Sequence, residues 1–196
     1  VFARITLGRI LELQGRHAEA LPVLEAVCAD AQAVGPARLA ALALNRLASV
    51  HWRMGAYPAA IERFQQALEI DRGLNHRAGQ AMHLGNLGIV LRELGEYPRA
   101  EASLQQALEI DRELGNALGT ARHLNNLGLV HWQTGRRDAA LECYRQALTI
   151  AERLGHKRGI ASCISNIGIL HRERGEYAQA IQAYERALQL AREAGA

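Results

Sequence analysis

Imidazole and thiol groups recur in this chain at a fixed interval, and they are the side chains from which a metal centre or a nucleophile is built. His51, His131 and His171 share one register of a 40-residue period, and His83 and His123 share another that continues with Cys163. Zinc needs its donors within roughly 4 Å of one another, whereas helices of adjacent units pack about 10 Å apart and alternate units about twice that. Donors on three successive units cannot converge, so no metal site is expected. Cys28, Cys143 and Cys163 are odd in number and lack CxxC spacing, which argues against a disulfide framework or a zinc knuckle. Cys28 stands where the other units carry Leu68, Leu108, Leu148 and Leu188, and reads as a small core residue. The HExxH, GxxxxGKS/T and GxSxG signatures are absent. The expectation is a chain without a cofactor and without a catalytic activity of its own.

The elements that place these residues follow from the period itself. Gly15, Gly55, Gly95, Gly135 and Gly175 fall 40 residues apart, and each is followed five residues later by an alanine: Ala20, Ala60, Ala100, Ala140 and Ala180. Self-similarity at such a period marks a chain built by stacking one supersecondary unit. Five units, 1–40, 41–80, 81–120, 121–160 and 161–196, fill the length in a single repeat domain. In the third unit Leu84, Leu87, Gly88, Leu91 and Leu94 keep the i, i+3, i+4, i+7 pattern of an amphipathic helix A that ends near Gly95. Pro98 suits the first turn of a second helix, where its missing N–H costs nothing, and Pro58 does the same one unit earlier. Helix B carries Ala100, Leu104, Ala107 and Leu108 inward and stops at Gly115; Gly35, Gly155 and Gly195 repeat that stop. Asn75 replaces the glycine in the second unit and tolerates the same left-handed cap. A helices are expected near residues 1–14, 38–54, 78–94, 118–134 and 158–174. Pro22, a turn deeper than Pro58 and Pro98, should bend or delay the first B helix.

Composition agrees with an all-α chain. Hydrophobic residues make up 49% and aromatics 5%, which suits many small helix contacts rather than one aromatic core. A net charge of +3, from 23 basic and 20 acidic residues, is too small for a nucleic-acid surface. No run of 18 apolar residues offers a membrane span. The thiols point to a reducing, cytoplasmic compartment. The start, Val1-Phe2-Ala3-Arg4, is read as that of a piece of a longer protein.

Leu87-Gly88, Leu91, Gly95, Tyr97, Ala100, Leu104 and Ala107 follow the tetratricopeptide pattern, and the likeness extends over all five units. The chain lacks that pattern's late proline: Arg72, Arg112, Glu152 and Arg192 stand there, so helix B runs on to its glycine stop. It resembles the long, 40-residue tetratricopeptide type of kinesin light chains, cell-polarity scaffolds and bacterial signalling or transcriptional regulators. That resemblance implies a right-handed α-solenoid of five helix-turn-helix repeats. It also implies that Gly8, Gly88, Gly128 and Gly168 let helices A and B approach closely, with Ala48 in that role in the second unit.

The resemblance further implies a concave wall made by the A helices. In the fourth unit Leu124, Leu127, Gly128 and His131 point at helix B, so Arg122, Asn125, Leu129 and Trp132 fall on the neighbouring face. The same positions hold Asn45 and Trp52 in the second unit, Arg92 in the third, and Ser162, Ser165 and Arg172 in the fifth. Asn45, Trp52, Arg92, Arg122, Asn125, Trp132 and Arg172 are therefore the candidate groove residues, offering amide, indole and guanidinium groups to an extended peptide. For the tryptophans, packing between A helices is the competing reading; for Arg92 and Arg172, it is an ion pair with Glu93 and Glu173. Asn86, Asn126 and Asn166 form a second ladder, for contact with peptide or for bonds between repeats.

The expected partner is a protein or an extended peptide. The alternative is a self-associating scaffold, a homo-oligomer joined through its uncapped ends, where Phe2 and Ile5 open the chain and Tyr184, Leu188 and Leu190 close it.

Overall fold

The computed structural model describes residues 2–34 and 36–195, and the side chains of these except Phe2, Ala3, Ile5 and residues 32–34. Among the described residues there are ten α-helices and no strand: α1 Phe2–Leu13, α2 His17–Val34, α3 Ala37–Arg53, α4 Tyr57–Gly73, α5 Arg77–Glu93, α6 Tyr97–Glu113, α7 Ala117–Gln133, α8 Arg137–Arg153, α9 Lys157–Glu173 and α10 Tyr177–Glu193. The odd-numbered helices are the A helices, and their ends fall within a residue or two of those the pattern predicts. The chain forms two compact units, Val1–Ser103 and Leu104–Ala196. In the first, α1 packs on α2 and α3, α2 on α3, α3 on α4 and α4 on α5; in the second, α7 packs on α8 and α9, α8 on α9 and α9 on α10. Within each unit the helices named thus pack on their neighbours in sequence, as in an α-solenoid.

The three-residue turns explain why the helices stop where they do. At the end of α5 the Gly95 N–H donates to the Arg92 carbonyl and the Glu96 N–H to that of Leu91, the paired bonds of a Schellman cap. That cap needs a left-handed residue, and Gly95 has φ +84°. Its missing Cβ would meet nothing within 4 Å, so conformation alone selects glycine there. Asn75, at φ +51°, is the single described non-glycine residue with positive φ, in the place the sequence assigns it. Gly35, the corresponding stop of the first unit, lies outside the described residues, as do the Phe2 and Ile5 side chains.

Pro22 neither delays nor shortens its helix: α2 begins at His17, 40 residues before Tyr57, and runs through the proline. Pro22 is the sixth residue of α2, so its ring removes one early N–H donor, that to the Ala18 carbonyl, and later bonds continue the helix.

Small residues set the spacing of helix pairs. Ala20, Ala60, Ala140 and Ala180 are 3% exposed or less. A Cβ on Gly128 would stand 2.4 Å from Tyr144 Cε1, on Gly8 2.6 Å from Leu24 Cδ2, and on Gly168 2.9 Å from Tyr184 Cε1. Helix B presses its largest side chain against helix A at these glycines, and Tyr144 is itself 1% exposed. Burying such a ring contributes about 2 to 3 kcal/mol, available only because the facing residue has no side chain.

Candidate functional site

Between the N-terminal halves of α7 and α9 lies a cavity of about 370 Å³. Arg122 and Asn125 line it from α7, Ser162 and Cys163 from α9, and Ala151 of α8 closes it from behind. His156 and Arg158, where the chain enters α9, form its rim together with Asn116 and Leu118, where it enters α7. Both helices start here with a side-chain cap. Asn116 Oδ1 accepts from the Gly119 N–H at 3.2 Å, and His156 Nδ1 accepts from the Gly159 N–H at 3.1 Å. The second cap fixes the His156 tautomer, with its proton on Nε2. Two helix N-termini and two guanidinium groups around one hollow make a positive site.

The candidate groove residues separate into those with free groups and those already engaged. Arg122 and Arg172 are exposed and stand in no ion pair among the described residues. The expected partner of Arg172 is taken: Glu173 accepts the Trp132 indole N–H at 2.8 Å and pairs with Arg137 at 2.6 Å. Trp132 is thereby tied across the repeat, half-buried against Tyr144 and Leu170. Arg92 does pair with Glu93, at 2.5 Å, and its side chain is only 14% exposed. Trp52 is half-buried beside Phe64 at a hollow of only about 30 Å³, with Arg53 stacked over its ring at 5.7 Å.

The asparagines work between repeats. Asn45 is 6% exposed, and its side-chain oxygen accepts from Asn86 Nδ2 at 3.0 Å and lies 3.1 Å from His83 Nδ1. It is buried under the next A helix rather than open to a groove. Two interfaces on, Asn125 Oδ1 accepts from Asn166 Nδ2 at 2.9 Å and from the Cys163 thiol at 3.6 Å. Asn125 is only half-buried, which leaves its amide NH₂ beside the cavity. Asn126 is buried.

Two buried acid–imidazole pairs have no counterpart in the sequence reading. Asp71 Oδ2 lies 3.0 Å from His83 Nε2, and Asp111 Oδ2 lies 3.0 Å from His123 Nε2; all four residues are 1% exposed or less. Each aspartate sits in the last turn of a B helix, where the dipole disfavours a negative charge, so its pairing offsets an unfavourable position. Asp71 also faces the His76 ring at 3.1 Å, and Asp111 Oδ1 accepts from Asn116 Nδ2 at 2.9 Å. Burial pushes both imidazoles below their ordinary range against the opposing pull of the aspartates, His123 to about 4, with Arg122 adding to that fall. These histidines are neutral near pH 7. Burial raises the Cys28 and Cys163 thiols to about 11, so neither is a nucleophile.

A signal for these pairs is present in the sequence. Asp71 and His83 are twelve apart, as are Asp111 and His123; at the same registers elsewhere stand Ala31 with Ala43 and Ala151 with Cys163. Acid and imidazole appear together and vanish together. Between them lies Gly79 or Gly119, whose added Cβ would sit 1.6 or 1.8 Å from the aspartate oxygen; where no acid is present, Leu39 is accepted.

Comparison with known proteins follows this geometry. BtubC (BKLC) of P. vanneervenii superposes with a TM-score of 0.82 at 22% identity, over 97% of this chain and 80% of that one. A putative kinesin light chain of Podosopora anserina with nearly identical tetratricopeptide-like repeats gives 0.78 at 15% identity, over 98% and 95%. A Rap protein complexed with Competence and Sporulation Factor gives 0.86 at 19% identity, over 97% of this chain but only 53% of the Rap protein. These likenesses show a shared fold. No curated protein matches in sequence. Tetratricopeptide-repeat matches at residues 2–73, 38–113, 79–153 and 119–193 run through the ten helices, and the chain belongs to the tetratricopeptide-repeat family.

Proposed function

We propose that the chain is a protein- or peptide-binding scaffold, the sensor or partner-recruiting part of a bacterial signalling regulator that acts in the cytoplasm and has no catalysis of its own. The observation that carries this reading is the cavity between α7 and α9, where Arg122 and the Asn125 amide face an open hollow. The Rap protein seen with Competence and Sporulation Factor has the same fold and lends support by analogy. No described helix is long and apolar enough to cross a membrane. Selecting peptides from a random display library on the immobilised chain tests the proposal. Arg122→Ala and Arg172→Ala are expected to weaken a selected peptide by about 1 to 2 kcal/mol each with little change in thermal midpoint. Failure to enrich any peptide counts against the reading.

A second reading, association of two copies, is favoured by α10, whose Tyr177, Ile181 and Leu188 are 65%, 57% and 53% exposed along one stripe. Light scattering over a concentration series separates the two. Dimerisation abolished by Ile181→Glu, without any selected peptide, would favour self-association.

A further inference from the structure

We infer that the cavity between α7 and α9 is a glutamate-accepting subsite, seating one acidic side chain of a bound peptide between Arg122 and Arg158. This rests on the peptide-binding reading and goes beyond it by naming what the peptide must carry.

Charge is the first argument. The chain as a whole is nearly balanced, yet the cavity lining holds two arginines and no carboxylate. Within the same compact unit, arginines elsewhere find acids: Arg137 with Glu173, Arg174 with Asp138 and Arg186 with Glu152. Arg122 and Arg158 stand in no such pair among the described residues. An anion is what this hollow lacks.

Shape selects the kind of anion. Arg122 reaches the hollow from α7 and Arg158 from the first turn of α9, so two planar forks flank it, as bidentate recognition of a carboxylate requires. Behind them the lining is apolar, with Ala121 and Ala151 buried. A glutamate matches both layers, with its methylenes against the alanines and its carboxylate at the guanidinium groups. The Asn125 amide on the α7 wall and the Ser162 hydroxyl on the α9 wall can bond the peptide backbone on either side. A volume of about 370 Å³ lies within the range of small-ligand pockets, roughly 300 to 1,000 Å³, and holds one such side chain with its flanking backbone.

The test uses peptides selected from a random display library and measured by fluorescence anisotropy against the parent chain, Arg122→Gln, Arg158→Gln, the double variant and Asn125→Ala. Selected peptides are expected to share one glutamate at a fixed place. Changing it to glutamine should weaken binding to the parent about tenfold, the usual worth of a charge-assisted hydrogen bond. On the double arginine variant the same change should cost nothing. Both arginines are exposed, so equal thermal midpoints would show that folding is intact. Equal losses on parent and double variant overturn the subsite. Selected peptides without a shared acid, still sensitive to Asn125→Ala, overturn it while leaving the peptide-binding reading in place. An empty selection overturns both.

Discussion

Replacing Asp111 by alanine and His123 by cysteine, singly and together, tests whether the buried pair is one energetic unit. His123→Cys leaves the Asp111 carboxylate, 1% exposed, with Asn116 as its remaining close donor. Leaving a buried carboxylate without its neutral imidazole donor costs about 3 kcal/mol. Asp111→Ala instead leaves a fully buried neutral imidazole facing a methyl group, an unmet polar group worth about 1 to 3 kcal/mol. The double variant recreates a combination the chain already tolerates, Ala151 with Cys163, both 2% exposed or less. It is expected within about 2 kcal/mol of the parent, the residue of lost packing, giving a coupling of at least about 2 kcal/mol. Urea unfolding followed by far-ultraviolet circular dichroism, with a common m-value, gives the four stabilities. Single effects that add to within about 0.5 kcal/mol would refute the pair as a unit and leave two independent packing residues.

Acid should weaken the fold through the same imidazole. His123 has a folded pKa of about 4, below the unfolded value near 6.5, so the unfolded chain takes up the proton first. Its contribution is complete above about pH 6.5 and is lost as pH falls towards 4, up to about 3 kcal/mol; a midpoint indifferent to pH in that window in both parent and His123→Cys would contradict this. Gly119→Ala places a Cβ 1.8 Å from Asp111 Oδ2 and should cost about 1 to 3 kcal/mol in the parent but clearly less beside Asp111→Ala; equal losses by thermal melting would contradict the role given to that glycine. Gly128→Leu should cost about 3 kcal/mol against the Tyr144 ring and Gly128→Ala about 1, since Ala48 is already accepted in that register; an unchanged midpoint for the leucine variant would refute close approach.

The helices and turns were legible because local chemistry decides them. A 3.6-residue apolar period marks each helix, and left-handed turn residues admit few side chains, which is why Asn75 could be read alongside the glycines. Pro22 lies a turn deeper than Pro58 and Pro98, yet it does not delay its helix, because one missing donor early in α2 is a small defect within an 18-residue helix. The site was legible only in part. Spacing names the face of a helix, and it grouped Asn45 with Asn125 correctly as equivalents. It does not give depth, and so could not tell that Asn45 is sealed beneath His83 and Asn86 while Asn125 stays at an opening. Arg158 and His156 were passed over because they precede the amphipathic stretch of α9, in a segment where periodicity says nothing. The indole of Trp132 finds its acceptor 41 residues on, a pairing that stacking of repeats decides.

The paired aspartates and histidines also bear on how a chain of near-copies avoids assembling in the wrong order. Apolar faces in one repeat resemble those in the next, so a helix that skipped a neighbour during folding would still find leucines and alanines to meet. Asp111 would not find its match. Laid against α9 instead of α7, its carboxylate would meet Cys163 in the place of His123, a buried charge without its imidazole donor, at a cost of about 3 kcal/mol. The exchange of Asp and His for Ala and Cys after the Asp111–His123 interface thus works as a proofreading label at that step, setting α9 apart from α7 where their shapes alone are interchangeable.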